Sequence, residues 1–283
     1  MVALTDGFVP VNGLLLHYLS WDGPRERPLV LIHGLTGFAH TWDDWAERWG
    51  KDFRVLAYDQ RGHGESDHAK PGGFEGYNSK QLAADLRGFV QALGLTKFDV
   101  LGHSLGGRTV MAYAGLYPDT LRRAVVVDMG PELDRAGARN VRDSTKTQVS
   151  LPTGFKDEAE AMLFLEKSRP GRKPESYRRT VQHALKRGED GLLHYRYDQT
   201  LLEITGRKGL EEVPYMWEMV SKTTCPTLVV RGETSNILSR GVAERMVQAL
   251  PQGTLAEIAR AGHDVPGDNP QAFEAAVLGF LRS

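Results

Sequence analysis

Gly102-His103-Ser104-Leu105-Gly106 fits the pattern G-x-S-x-G and runs into a further glycine, Gly107. The pentapeptide follows an apolar run at residues 98–101 and opens a helix-like stretch at Leu105. In that context it reads as a sharp strand–turn–helix elbow. Its glycines let the two elements pack closely, and its apex projects a serine hydroxyl. Ser104 is therefore the candidate nucleophile. Without the flanking strand and helix, a plain glycine-rich turn would explain the same residues.

A serine hydroxyl needs a base at neutral pH. Of the nine histidines, His263 stands in Ala261-Gly262-His263-Asp264, after the last strand-like run. Loops at the carboxyl ends of parallel strands converge on one edge, so His263 can reach Ser104. His103 lies inside the elbow and is expected to pack or hydrogen-bond locally. His17, His63, His68, His183 and His194 read as surface or structural residues. Acyl transfer also needs donors for a developing oxyanion. The turn His33-Gly34-Leu35-Thr36-Gly37 ends an early strand and can aim its backbone at the serine. The N–H groups of Leu35 and Leu105 are the expected pair; a tight turn with no further role is the alternative.

These residues must be positioned by regular elements. Short apolar runs occur at 29–32, 54–58, 98–101, 124–127, 227–230 and, more weakly, 255–258. Near-continuous apolar runs of this length suit parallel strands buried on both faces. Helical spacing appears at 79–92, with Leu82, Leu86, Phe89, Val90 and Leu93 before Gly94, and again at 105–117, 241–250 and 271–281. The alternation implies βαβ units and a mostly parallel sheet with helices on both faces.

The pattern breaks between residues 130 and 222, where the chain is charged, helix-rich and without a good strand run. Met162, Leu163, Phe164, Leu165, Tyr195 and Met216 can bury a face there, so the segment reads as a helical cap inserted into a core of residues 1–129 and 223–283. A long structureless insertion would be unusual in a compact domain. Arg135, Arg139, Arg142, Arg169 and Arg172 belong to this stretch. They are expected on a solvated face, unless one or two turn inward to hold a substrate carboxylate.

Composition narrows the function classes. The 283 residues carry 35 Lys+Arg against 36 Asp+Glu, so no concentrated basic face for nucleic acid is expected. The single cysteine, Cys225, precedes Pro226 and an apolar run and reads as a packed thiol. Residues 1–10 contain Asp6 and no signal-like apolar run, and no stretch approaches the ~20 residues of a membrane span. The expectation is a cytoplasmic monomer or homodimer that works on a small-molecule substrate without nucleic acid or membrane. Neither a metal-ligand cluster nor a dinucleotide fingerprint is present, so no cofactor is expected.

The set HGLTG, DQRGHGES (residues 59–66), GHSLGG and a late GHD, in that order, resembles the α/β-hydrolase superfamily over essentially the whole chain. The resemblance implies an α/β fold with an eight-stranded, mostly parallel sheet and a cap. It also implies acylation of serine followed by hydrolysis, with no cofactor. In such proteins the Asp59–Gly64 stretch is a structured turn near the pocket. Epoxide hydrolases and haloalkane dehalogenases share the fold but need Asp where this chain has Ser104.

The chain departs from the superfamily pattern at the acid. The usual position, after the strand at 227–230, holds Asn236, whose amide would stabilise an imidazolium poorly. Asp128 ends the strand that follows the nucleophile helix and lies at the same carboxyl edge. A minority of α/β-hydrolases carry the acid there. The RGE-x-S-x-x-x-S segment (residues 231–239) without Asp resembles a branch containing 2-(acetamidomethylene)succinate hydrolase, which does so. Asp128 is therefore the expected acid, with Glu233 and Asp264 as alternatives and a turn cap as its structural reading. The expected activity is cleavage of a small carboxylic ester. Amide, lactone or C–C/C–N cleavage by the same residues is the alternative, and a receptor that has lost turnover is the reading from another class.

Overall fold

The computed structural model describes residues 3–70, 74–133, 137, 139–140, 154–168, 170–204 and 211–283. Eight strands form one sheet: β1 (Leu4–Val11), β2 (Leu14–Trp21), β3 (Pro28–Ile32), β4 (Arg54–Tyr58), β5 (Phe98–His103), β6 (Leu121–Val127), β9 (Thr227–Gly232) and β10 (Gly253–Ile258). Two more, β7 (Leu185–Arg187) and β8 (Leu193–Tyr195), make a separate antiparallel pair. The large sheet runs β1-β2-β4-β3-β5-β6-β9-β10. Strand β2 pairs antiparallel with β1 and β4, and the remaining neighbours are parallel. This is the eight-stranded, mostly parallel α/β architecture that the family resemblance implies.

Strand periodicity divides the core. Along β3, Val30 and Ile32 join one apolar cluster and Leu29 and Leu31 the other, as alternate side chains of a strand must. The first face is covered by α3 (Ser79–Ala92), α4 (Leu105–Leu116) and α9 (Arg240–Ala249). The second is covered by α1 (Asp43–Trp49) and α11 (Pro270–Arg282), where Trp45, Trp49 and Phe273 pack edge to face and tilted. Asn78 caps α3 by accepting the Gln81 N–H, and Asn269 caps α11 by accepting that of Ala272. Short helix α2 (Phe74–Tyr77) precedes α3, and α10 (Val265–Asp268) precedes α11.

The hairpin of β1 and β2 escapes a search for compact apolar runs. Strand β1 is an edge strand with Leu4 and Phe8 about half exposed, so it lacks the buried signature of the central strands. The local signal is Asn12-Gly13, both at positive φ (51° and 78°), in a two-residue turn that sets Val11 opposite Leu14.

Between β6 and β9 the described residues form α5 (Glu158–Ser168), α6 (Pro174–Ala184), the β7–β8 pair, α7 (Thr200–Ile204) and α8 (Val213–Lys222). The stretch, expected to be helix-rich without a good strand run, also holds the short β7–β8 pair, which lies outside the main sheet. Each has only three residues, too few to stand out as a sequence run, and the pair is fixed by the Gly188 N–H donating to Leu192 O at 2.7 Å. A satellite cluster of Phe155, Ala161, Leu165, Tyr177, Val181, Leu185 and Leu193 holds α5, α6, β7 and β8 together. Leu163, expected to help bury a face, is 52% exposed instead. Helix α8 packs on α4 and contributes Met216 and Val220 to the main core cluster.

Candidate active site

The carboxyl ends of β3, β5, β6 and β10 each deliver one part of the site, as the topology of a parallel sheet requires. Ser104 lies between β5 and α4 with φ 54° and ψ −116°, a strained conformation for a residue with a side chain. The elbow needs glycine on both sides. A Cβ at Gly106 would stand 2.3 Å from the Ile32 carbonyl oxygen, and one at Gly102 would stand 2.2 Å from that of Gly106. The Ser104 N–H donates to Val127 O at 3.0 Å, and Ser104 O accepts the Arg108 N–H at 3.1 Å.

Asp128 follows β6, also at positive φ (50°), and is fully buried. Its carboxylate has a donor for each need. Oδ1 accepts the Gly232 N–H at 3.0 Å, and Oδ2 accepts the Ser235 hydroxyl at 2.5 Å. Oδ2 also lies 2.8 Å from Nδ1 of His263. An ionised carboxylate only accepts, so Nδ1 carries the ring proton and Nε2 is left with its lone pair. Nε2 lies 3.0 Å from Ser104 Oγ, the geometry in which it accepts the hydroxyl proton. Ser104, His263 and Asp128 thus form one continuous hydrogen-bonded line.

The turn after β3 closes the other side. A Cβ at Gly34 would come within 3.1 Å of Ser104 Cβ, so this loop passes directly against the elbow. It is locked by His33, which donates from Nδ1 to Gly34 O at 2.8 Å and accepts the Gln60 N–H at Nε2 at 3.0 Å. Burial lowers the His33 pKa, which favours the neutral ring that this pattern requires. Gln60 in turn donates to His33 O at 2.8 Å and accepts from Thr109 of α4 at 2.7 Å. Among the described residues, neither the Leu35 N–H nor the Leu105 N–H donates to another protein group. Leu105 is the first residue of α4, where an N–H has no partner within the helix.

The alternative acids are engaged elsewhere. Glu233 is exposed and accepts the Arg260 N–H at 2.7 Å. Asp264 caps α10 and meets Arg172 at 2.5 Å. The Asn236 side chain is exposed, and its backbone carbonyl accepts from Asn140 at 2.7 Å.

Asp59 is buried and accepts the N–H groups of Ala39 (2.6 Å) and Glu65 (2.9 Å), with His17 Nδ1 at 2.7 Å. Arg61 forms two bonds to Asp85 of α3, at 2.5 and 2.7 Å, so the 59–66 segment is a turn braced against the core, outside the Ser104–His263–Asp128 line.

Arg135, Arg142 and Arg169 lie outside the described residues, and Arg139 is exposed. Arg172 bridges Asp264 and Asp268, at 2.5 and 3.2 Å, beside the loop that carries His263. Ser235 stands in the RGE-x-S motif beside Asn236, but the sequence alone assigned it no role. Cys225 is buried next to Thr227, and burial raises its pKa, as suits a packed thiol. Among the described residues there is no group of three or more His, Cys, Asp or Glu arranged to hold a metal. No helix among them is long and apolar enough to cross a membrane.

Comparison with known proteins gives a consistent picture. A family model described as alpha/beta hydrolase fold matches residues 27–270. An esterase of Mycobacterium tuberculosis is 30% identical over 270 residues, covering 93% of this chain and 85% of its own. The 2-(acetamidomethylene)succinate hydrolase of Mesorhizobium japonicum is 26% identical over 263 residues, covering 91% and 90%. A crystal structure of E-2-(acetamidomethylene)succinate hydrolase superposes with a TM-score of 0.86 at 24% identity, over 99% of this chain and 100% of that one.

Proposed function

The chain belongs to the alpha/beta hydrolase fold family, and from that premise we propose that it cleaves a small carboxylic ester through an acyl-enzyme on Ser104. One observation carries the reading: Ser104 Oγ, His263 and the buried Asp128 stand in line at 3.0 and 2.8 Å. His263 Nε2 takes the hydroxyl proton as Ser104 Oγ bonds to the acyl carbon. The oxyanion is received by the N–H groups of Leu35 and Leu105. His263 then gives its proton to the departing alkoxide, and the alcohol leaves. In the second half, His263 takes a proton from water, the hydroxide attacks the acyl carbon, and Ser104 Oγ departs with that proton. Asp128 keeps the proton on Nδ1 and stabilises the imidazolium formed twice in the cycle.

The segment from 130 to 222 acts in this reading as a cap that selects acyl and leaving-group size. The likeness to an esterase at 30% identity supports ester cleavage. The likeness to 2-(acetamidomethylene)succinate hydrolase favours a second reading, C–N cleavage by the same residues. Both readings require turnover, which separates them from a receptor.

The test is a p-nitrophenyl acetate assay with fluorophosphonate labelling. An initial release of coloured product and labelling lost in Ser104→Ala are the expected results. Absence of both in the wild-type protein, or retained labelling in Ser104→Ala, overturns the proposal. A parallel panel of esters, lactones and amides separates the two hydrolytic readings.

A further inference from the structure

The loop after β9 lacks an acid at Asn236, yet it still reaches the site through Ser235. The Ser235 hydroxyl donates to Asp128 Oδ2 at 2.5 Å. Ser235 Oγ itself accepts the Leu238 N–H at 3.1 Å and the Ile237 N–H at 3.2 Å. A hydroxyl has one proton to give and two lone pairs to offer, and all three are used here. Two amides on those lone pairs orient the hydroxyl, which fixes where its single proton points and polarises it toward the carboxylate. The same Oδ2 faces His263 Nδ1, so Ser235 holds the oxygen that holds the imidazole.

We propose that Ser235 is a positioning residue for the Ser104–His263–Asp128 reaction: it orients Asp128 Oδ2 and shares its charge, transmitting the loop after β9 to a carboxylate on β6. The inference rests on the serine hydrolase reading above. Gly232 fixes Oδ1 from the backbone, so Ser235 is the one side chain besides His263 with a hydrogen bond to this carboxylate among the described residues.

The consequence is electronic as well as geometric. Each donor to the carboxylate draws off charge that would otherwise stabilise the imidazolium. Removing the Ser235 proton leaves a more strongly charged Oδ2, which stabilises the imidazolium more, while the less constrained carboxylate slows turnover. The groups facing the His263 ring are Asp128, Ser104 and the His103 ring, with Asp264 next in the chain and paired to Arg172. His103 favours its neutral form because burial, and then the charge of His263, lower its pKa.

The experiment measures p-nitrophenyl acetate hydrolysis against pH for the wild type, Ser235→Ala, Ser235→Cys and Ser235→Thr. Ala is expected to lower kcat about tenfold with KM little changed. It should also move the acid limb of kcat/KM upward by roughly half a pH unit. Cys, a weak donor of similar shape, should move the limb the same way should Ala fail to fold. Thr keeps the hydroxyl and should restore the wild-type profile. A purely structural role for the loop would lower activity or stability without raising the acid limb. An unmoved limb in both Ala and Cys, with an active wild type, overturns the inference alone. A wild type that neither turns over ester nor takes the fluorophosphonate overturns the proposed function, and this inference with it.

Discussion

His103 and His263 are tied together through the backbone: Nε2 of His103 donates to the carbonyl oxygen of His263 at 2.8 Å, and the two rings lie 4.9 Å apart. The residue before the proposed nucleophile thus pins the main chain of the proposed base. Burial holds His103 toward its neutral form, in which the Nε2 proton is available for this one bond. His103→Ala should lower kcat by about ten- to a hundredfold, since small misplacements of a catalytic group cost rates of that order. His103→Gln keeps an N–H on a side chain of similar reach and should recover part of the loss. Equal activity in the wild type and Ala would show that the His263 loop does not need this anchor.

Arg172 offers a second hold on the same loop, from the segment between α5 and α6. Its guanidinium meets Asp264 and Asp268, at the two ends of α10, at 2.5 and 3.2 Å. These partners are partly exposed, at 54% and 34% of side-chain surface, so the pairing is screened by salt. Arg172→Gln should lower kcat/KM a few-fold at low ionic strength, with little change in melting temperature. In about 0.5 M NaCl the wild type should approach the variant. A difference that does not change with salt would place the effect in packing instead of charge.

Helix α6 leans on the core through His183, whose ring stacks on His40 at 3.6 Å, and through Arg179, which meets Asp43 at 3.1 Å and Asp44 at 2.7 Å. Burial first, then the neighbouring His40, lower the His183 pKa to about 4, against 6.5 for the free side chain. The sign follows from proton binding. Between those values the unfolded chain binds a proton at His183 that the folded chain refuses, so stability is full above about 6.5 and is lost as pH falls toward 4. The wild type should lose on the order of 1–2 kcal/mol more than His183→Asn between pH 6.5 and 4.5, the burial being partial. Parallel denaturation curves for the two proteins over that range would refute the assignment.

The central elements were legible because each is locally self-consistent. Residues 54–58 and 124–127 read as buried strands and lie within β4 and β6; the helix expected over 79–92 spans Ser79–Ala92. The β1–β2 hairpin was not singled out, because edge exposure removes the apolar run and leaves only Asn12-Gly13 as a sign. The β7–β8 pair depends on three-residue strands joined around Gly188 and Gly191, which carry no usable periodicity. In the site, Ser104 and His263 could be named from an elbow motif and chain order. The Ser235 and His103 hydrogen bonds could not. Each spans more than a hundred residues and depends on how two loops meet at the sheet edge.

The sharpest contrast is between Asp128 and Asn236. Asp128 is fully buried, and its Oδ2 lies 2.8 Å from His263 Nδ1, whereas the Asn236 side chain is exposed. Replacing Asp128 by Asn keeps the shape and removes the charge. The new amide can donate to Nδ1 and so move the ring proton to Nε2, where it blocks acceptance of the Ser104 hydroxyl proton. Turnover should fall by about 10⁴-fold, the size of effect known for the same substitution in a serine protease triad. Asn236→Ala removes an exposed amide and should change kcat less than about twofold. The double variant Asp128→Asn/Asn236→Asp tests whether a carboxylate at the more usual strand end can substitute. Since residue 236 points to solvent while the Asp128 pocket is enclosed by Gly232 and Ser235, little recovery is expected. Steady-state hydrolysis of p-nitrophenyl acetate by the four proteins decides the matter. A larger loss in Asn236→Ala than in Asp128→Asn, or substantial recovery in the double variant, would move the acid from β6 back to the loop after β9.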